Sequence, residues 1–183
     1  MKIVEKVLER RMRRMVKMDE MQFGFMPGKG TIGAVFILRR IQEEYLDKEK
    51  KLYMCFGDLE KAFDRVPRRV LEWAMRNRGI PEATVRAVIS LYEGAKTRVG
   101  VGLELSEEFE VKVGVHQGSA LSPLLFAIVV DVITESARNG LMSEMLYADD
   151  LVLTSETMEG LRERFWKWKE AFKSKLKVNL GKT

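Results

Sequence analysis

Between Leu124 and Ile133 nine of ten residues are apolar. A helix of that length makes about three turns, so no face of it is polar enough to be left to water. Such a helix has to be enclosed on every side, and the rest of the chain must supply the enclosure. Ser122-Pro123 opens it, because proline is tolerated in a first helical turn, and Asn139-Gly140 is a natural stop. The run falls short of the ~18 uninterrupted apolar residues of a membrane span, and no other stretch approaches that length. Glu5 and Glu9 interrupt the basic, apolar N-terminus, so no signal-peptide core and no targeting segment is read there. At 183 residues the chain suits one domain, or two small subdomains sharing a core.

Around the central helix the pattern alternates. Val4, Leu8, Met12 and Met15 predict an amphipathic helix over 2–17 with a basic outer surface. Residues 22–30, rich in glycine, read as a loop, after which Thr31 is expected to cap a helix reaching Asp47. Its faces are set by Val35, Leu38 and Ile41 or Gln42. Leu52 to Phe56 reads as a buried strand delivering Asp58 at its end. Pro67 and Pro81 each start a helix, stopping at Gly79 and near Gly94. Residues 96–102 and 109–115 are expected to pair as a hairpin through Ser106, because Val111, Val113 and Val115 alternate at strand period. Two short strands flank Asp149-Asp150, a charged helix covers 156–173, and Val178 falls in a last strand. The sum is α+β, a small antiparallel sheet backed by helices.

One cysteine, Cys55, excludes an internal disulfide and a cysteine zinc cluster, and its apolar setting suggests an inert buried thiol. One histidine, His116, excludes a histidine metal site. Chemistry must therefore come from carboxylates, hydroxyls, amides and cations. The net charge of +5 and pI near 9.3 lean toward polyanion partners.

Asp149 and Asp150 are the sharpest chemical feature. Two like charges about 4 Å apart repel by ~4 kcal/mol at an effective dielectric near 20, and a divalent cation removes that cost. Aspartate is also common in turns, so the segment alone fits a solvated β-turn at least as well. Asp58 adds a third carboxylate at a strand end. Three hard oxygen ligands on neighbouring strands suit Mg²⁺ or Mn²⁺, provided the fold brings them together. Gly28-Lys29-Gly30-Thr31 and Gly181-Lys182-Thr183 only mimic a P-loop, because Phe23 and Leu176 stand where its first glycine is required.

Four segments together are more specific. Gln22-Phe23-Gly24-Phe25-Met26-Pro27-Gly28-Lys29-Gly30-Thr31, Asp58-Leu59-Glu60-Lys61-Ala62-Phe63-Asp64, Gln117-Gly118-Ser119-Ala120-Leu121-Ser122-Pro123-Leu124-Leu125-Phe126 and Tyr147-Ala148-Asp149-Asp150 resemble successive reverse-transcriptase motifs, in order and at the right spacing. Their wording is that of non-LTR retrotransposon polymerases.

The resemblance implies a right-hand polymerase palm with an antiparallel sheet, partial fingers and no thumb. Residues 1–50 would belong to the fingers and 51–183 to the palm. It implies an RNA-directed DNA polymerase that extends a DNA primer with dNTPs on an RNA template, using two Mg²⁺ or Mn²⁺ ions. Asp58, Asp149 and Asp150 would be catalytic and bind metal. The Leu59 carbonyl would help hold the nucleotide-bound ion, and Phe63 would crowd a ribose 2′-hydroxyl, although its bland role is a core aromatic. Gln117 and Gly118 would lie against nucleotide and template, or simply form a strand-to-helix turn. Lys29, Arg39 and Arg40 are candidate triphosphate contacts, and Lys182 matches a lysine expected near the nucleotide phosphates. Arg65, Arg68, Arg69 and the lysines from Lys167 to Lys177 would meet nucleic-acid phosphates or form solvated helix faces. Intracellular action, nuclear or cytoplasmic, follows from the resemblance alone, and no membrane partner is expected.

The pattern departs from the family in places. The chain ends at Thr183, before the last palm hairpin and the thumb, and no endonuclease region is read. Gly57 and Gly33 stand where an apolar residue and an acid are usual. Those departures leave a second reading, a catalytically weak retroelement remnant that only binds nucleic acid. A third, an RNA-templated RNA polymerase, is opposed by Phe63.

Overall fold

The computed structural model describes residues 2–102, 104–140 and 143–173. Its centre is the apolar helix expected from the sequence. This helix runs Ser122–Thr134 with every residue but Pro123 buried, and continues as a short 3₁₀ turn to Ala137. From the N-terminus the chain forms α1 (Lys2–Met15), α2 (Thr31–Asp47), β1 (Tyr53–Asp58) and α3 (Arg68–Asn77). Helix α4 (Glu82–Ser90) follows, then the short strands β2 (Lys96–Thr97), β3 (Gly100–Val101), β4 (Glu104–Leu105) and β5 (Phe109–Glu110). The central helix is therefore α5, followed by β6 (Glu144–Tyr147), β7 (Asp150–Ser155) and α6 (Met158–Lys173).

The main sheet has the order β1-β7-β6, antiparallel throughout. Alternation divides its two faces. Tyr53, Cys55, Leu151 and Leu153 point into the main core, which α3, α5 and α6 build behind the sheet. Burial raises the pKa of the Cys55 thiol, as suits an inert side chain. The opposite face carries Met145, Tyr147 and Val152, which pack with Phe23, Ala34 and Leu38 under α2. No described helix is long and apolar enough to cross a membrane.

Four local expectations are corrected. Thr31 is the first residue of α2 rather than its cap. Gly30 takes the cap position in extended conformation and makes no side-chain hydrogen bond there. Helix α1 is rotated by about one residue, so Glu5 and Met12 are buried while Val4 and Met15 are exposed. Helix α4 ends at Ser90, short of Gly94.

The hairpin does not turn at Ser106. It turns between Val101 and Glu104, and its pairing is split into two short ladders. Ser106 bridges the gap between them, its amide donating to the Val99 carbonyl at 2.8 Å and its hydroxyl accepting from the Val99 amide at 2.9 Å. Val113 pairs with Pro67 instead of extending the hairpin. The strand expected at Val178 lies outside the described residues.

Beneath α5 lies a buried ion network. Asp131, 1% exposed, receives Arg78 at 2.7 Å and Arg138 at 2.6 Å. Arg138 also reaches Asp19 at 2.8 Å, and Arg78 reaches Glu135 at 3.3 Å. The segment just before residues 21–25 is thereby pinned to the central helix.

Candidate active site

Strand β1 is short and apolar until it meets Asp58, and the β1–β7 register places Asp58 directly opposite Asp150. Directly opposed residues in an antiparallel pair share a face of the sheet, with Cα atoms about 4.5–5.5 Å apart. Asp149 is the neighbouring residue, in the two-residue turn that joins β6 to β7. Asp58 and Asp149 are half-buried and Asp150 is exposed. A cleft of about 380 Å³ borders Asp150 and Tyr147, walled by Thr31, Ala34 and Leu38 of α2 and by Phe56.

The turn is held under strain. Ala148 has φ +58°, a left-handed conformation that costs a residue with a Cβ about 1–2 kcal/mol. The segment 21–25 supports it from the sheet edge. The Leu146 amide donates to the Met21 carbonyl at 2.9 Å, and the Phe23 amide donates to the Leu146 carbonyl at 2.7 Å. Gly24 then lies flat against the turn, where an added Cβ would sit 2.0 Å from the Ala148 nitrogen.

On the other side the chain leaves β1 through buried Leu59 into the 3₁₀ turn Phe63–Arg65. The Phe63 ring stacks on Phe126 of α5 at 4.5 Å and meets the edge of Phe25 at 5.9 Å. The Gln117 side chain donates to Asp64 at 2.7 Å, and Gly118 has φ +78°. The fold thus sets Asp58 opposite Asp150, ties Phe63 to Phe25 and Phe126, and ties Gln117 to Asp64 in the turn that follows β1.

The expected cationic contacts are not gathered in the same way. Lys29 donates to the Glu20 carbonyl and lies 4.8 Å over the Phe23 ring, inside its own loop. Arg39 is exposed on α2, and Arg40 pairs with Glu43 at 2.9 Å. Arg65 pairs with Glu60 at 2.8 Å, and Arg68 donates to the Val111 carbonyl over the Tyr92 ring. Arg69 is exposed. Lys167 reaches Asn139, and Lys173 pairs with Glu170. Lys182 lies outside the described residues.

Among the described residues no three His, Cys, Asp or Glu side chains converge closely enough to enclose an ion as they stand. The donor set is still of the right kind, with two carboxylates in facing register and a third adjoining them at one sheet end. Drawing them together requires neutralisation, because each pair at 4 Å repels by about 4 kcal/mol at an effective dielectric near 20. A hard divalent cation offsets that cost, so the residues fit such an ion.

Sequence reasoning missed three residues. In the sequence Glu5 only interrupts a basic, apolar N-terminus, yet it is buried and accepts hydrogen bonds from Ser119 and Ala120. Phe25 and Asp64 lay inside quoted motifs without a role, because nothing local marks a ring edge or a side-chain acceptor.

The family model described as reverse transcriptase (RNA-dependent DNA polymerase) matches residues 1–183. The RNA-directed DNA polymerase from mobile element jockey of Drosophila funebris is 32% identical over 176 residues, which are 88% of this chain and 19% of that protein. The Pol polyprotein from type-1 retrotransposable element R2 of Nasonia vitripennis is 31% identical over 153 residues, 79% of this chain and 15% of its own length. The chain therefore spans less than a fifth of either relative. In fold it is similar to telomerase from Candida tropicalis solved in complex with a TWJ fragment of telomeric RNA. There the TM-score is 0.74 at 16% identity, covering 98% of this chain and 32% of the telomerase.

Proposed function

Because the chain belongs to the reverse transcriptase family, we propose that its sheet end adds deoxynucleotides to a primer 3′-hydroxyl on an RNA template. The observation that carries this reading is the register of β1 against β7, which sets Asp58 opposite Asp150 with Asp149 alongside. In this reading residues 1–50 serve as fingers and 51–183 as palm.

Asp58, Asp149 and Asp150 would hold two Mg²⁺ or Mn²⁺ ions, with the Leu59 carbonyl assisting. Bound there, the ions supply activation of the 3′-hydroxyl and neutralisation of charge on the departing pyrophosphate. The chain's own contribution is positional. Strain at Ala148, braced by Gly24, fixes where the Asp149 and Asp150 backbone lies. Phe63, clamped between Phe126 and Phe25, presents a rigid edge to the sugar and disfavours a 2′-hydroxyl. Gln117 and Gly118 bound the nucleotide and template side, where a missing side chain permits close backbone approach. Lys29, Arg39 and Lys182 are proposed triphosphate contacts, for which Lys29 must leave the Glu20 carbonyl. A nuclear or cytoplasmic setting is part of the same proposal.

A second reading, a catalytically weak chain that only binds nucleic acid, draws on the incomplete convergence of the three acids. Primer extension on an RNA template with dNTPs and Mg²⁺ or Mn²⁺ separates the two, comparing the wild type with Asp149→Ala. Extension that disappears in the variant supports the polymerase. Duplex binding without extension by either protein supports the second reading. Equal extension by both sinks the assigned centre.

A further inference from the structure

We infer that Glu5 is a positioning residue for the Gln117-Gly118 turn, acting across 112 residues of sequence from the N-terminal helix. The inference rests on the polymerase reading for its functional consequence, and on geometry for the positioning itself. Helix α1 is mostly exposed, and Glu5 and Met12 are its buried residues. A buried carboxylate is an expensive anchor where an apolar side chain would serve, unless it meets donors that need it.

It does meet them. One oxygen, Glu5 Oε2, accepts from the Ser119 hydroxyl at 3.0 Å and from the Ala120 amide at 3.0 Å. The Ser119 hydroxyl accepts in turn from the Leu121 and Ser122 amides at 3.1 and 3.4 Å. A serine hydroxyl has one hydrogen and two lone pairs, so all three are committed. The hydrogen points at Glu5, and the lone pairs take amides at the start of α5, where negative charge is also favoured by the helix dipole. The Ser122 hydroxyl closes the arrangement by donating to the His116 carbonyl at 2.7 Å. The four-residue turn from His116 to Ser119 is therefore held at its base by Glu5 and at its tip by the Gln117–Asp64 hydrogen bond. A turn fixed at both ends presents Gln117 and Gly118 in one orientation, and releasing the base frees them.

The test compares Glu5→Ala with Glu5→Gln. Both hydrogen bonds fall on a single oxygen, so a glutamine carbonyl can keep them and an alanine cannot. The first arm is amide hydrogen exchange over 116–121 in the folded chain. Exchange should accelerate about tenfold in Glu5→Ala and stay within about twofold of wild type in Glu5→Gln, a tenfold change being 1.4 kcal/mol. The second arm is steady-state primer extension. Glu5→Ala should raise the dNTP KM about tenfold with kcat little changed, Glu5→Gln should restore it, and Glu5→Ala should add nothing to the KM defect of Gln117→Ala. Unchanged exchange in Glu5→Ala overturns the inference outright. Accelerated exchange with a lowered melting temperature and an unaltered KM makes Glu5 a purely structural anchor, which also overturns it. No extension by the wild type defeats the polymerase reading, and the exchange arm alone then decides the positioning.

Discussion

Replacing Asp131 by alanine is expected to destabilise the domain by about 3 kcal/mol, at the low end of the ~3–5 kcal/mol range for removing one partner of a buried ion pair. The loss comes from what stays behind. The side chains of Arg78 and Arg138 are 17% and 14% exposed, so both guanidiniums would be largely enclosed without their shared anion. The Asp19 amide would also lose its acceptor. Partial compensation sets the low end, because Arg138 keeps Asp19 at 2.8 Å and Arg78 keeps the exposed Glu135 at 3.3 Å. A domain of this size loses roughly 2–4 °C of melting temperature per kcal/mol, so Asp131→Ala should melt about 6–12 °C below wild type by circular dichroism. High salt should leave the difference standing, because enclosed charges are poorly screened. Replacing Asp131, Arg78 and Arg138 together by leucine and methionines should recover much of the loss, since the charges that then lose a partner, Asp19 and Glu135, are 31% and 60% exposed and can be solvated. A melting temperature for Asp131→Ala within about 2 °C of wild type would refute the reasoning.

Three further outcomes are expected. Gly24→Ala places a methyl 2.0 Å from the Ala148 nitrogen, so it should cost about 1–3 kcal/mol in a melt and abolish primer extension by shifting the acid turn; a variant melting and extending like wild type would contradict the brace. Gly57→Ala meets Leu151 at an ordinary 3.7 Å and should stabilise by about 0.5–1 kcal/mol, and a lowered denaturation midpoint would show that this strand position needs glycine. Burial pushes the Glu144 carboxyl above its ordinary 4.5, only partly opposed by the Asn139 and Gly140 amides. The folded state therefore favours the protonated acid, so this stability is full below 4.5 and falls as pH rises through the elevated folded pKa. Glu144→Gln should accordingly gain on wild type in melts between pH 4.5 and 8, and a constant difference across that range would contradict the burial effect.

The central helix was legible because its constraint is local. Leu124 to Ile133 leave no polar face, and any fold of this chain must enclose them. The placement of Asp58 at the end of a strand, and of Asp149-Asp150 between two strands, was legible for the same reason, since apolar runs and their ends are written in consecutive residues. Partner choice is different. Val111, Val113 and Val115 alternate correctly for a strand, but alternation fixes a face and not a neighbour. The structure accordingly ends that ladder at Glu110 and turns Val113 to Pro67. The rotation of α1 escaped for a related reason. A one-residue turn of an amphipathic helix buries Glu5 in place of Val4, and donors from Ser119 and Ala120, in the segment just before α5, make that burial favourable.

The sequence by itself therefore determined an α+β chain with an enclosed helix and three acids at strand ends. Tertiary structure alone decided that Asp58 faces Asp150, that Gly24 braces Ala148, and that Asp131 ties Asp19 to the core. Each of those contacts joins segments far apart in the chain, and the energy of such a contact depends on shape and desolvation at a meeting point that no single segment encodes.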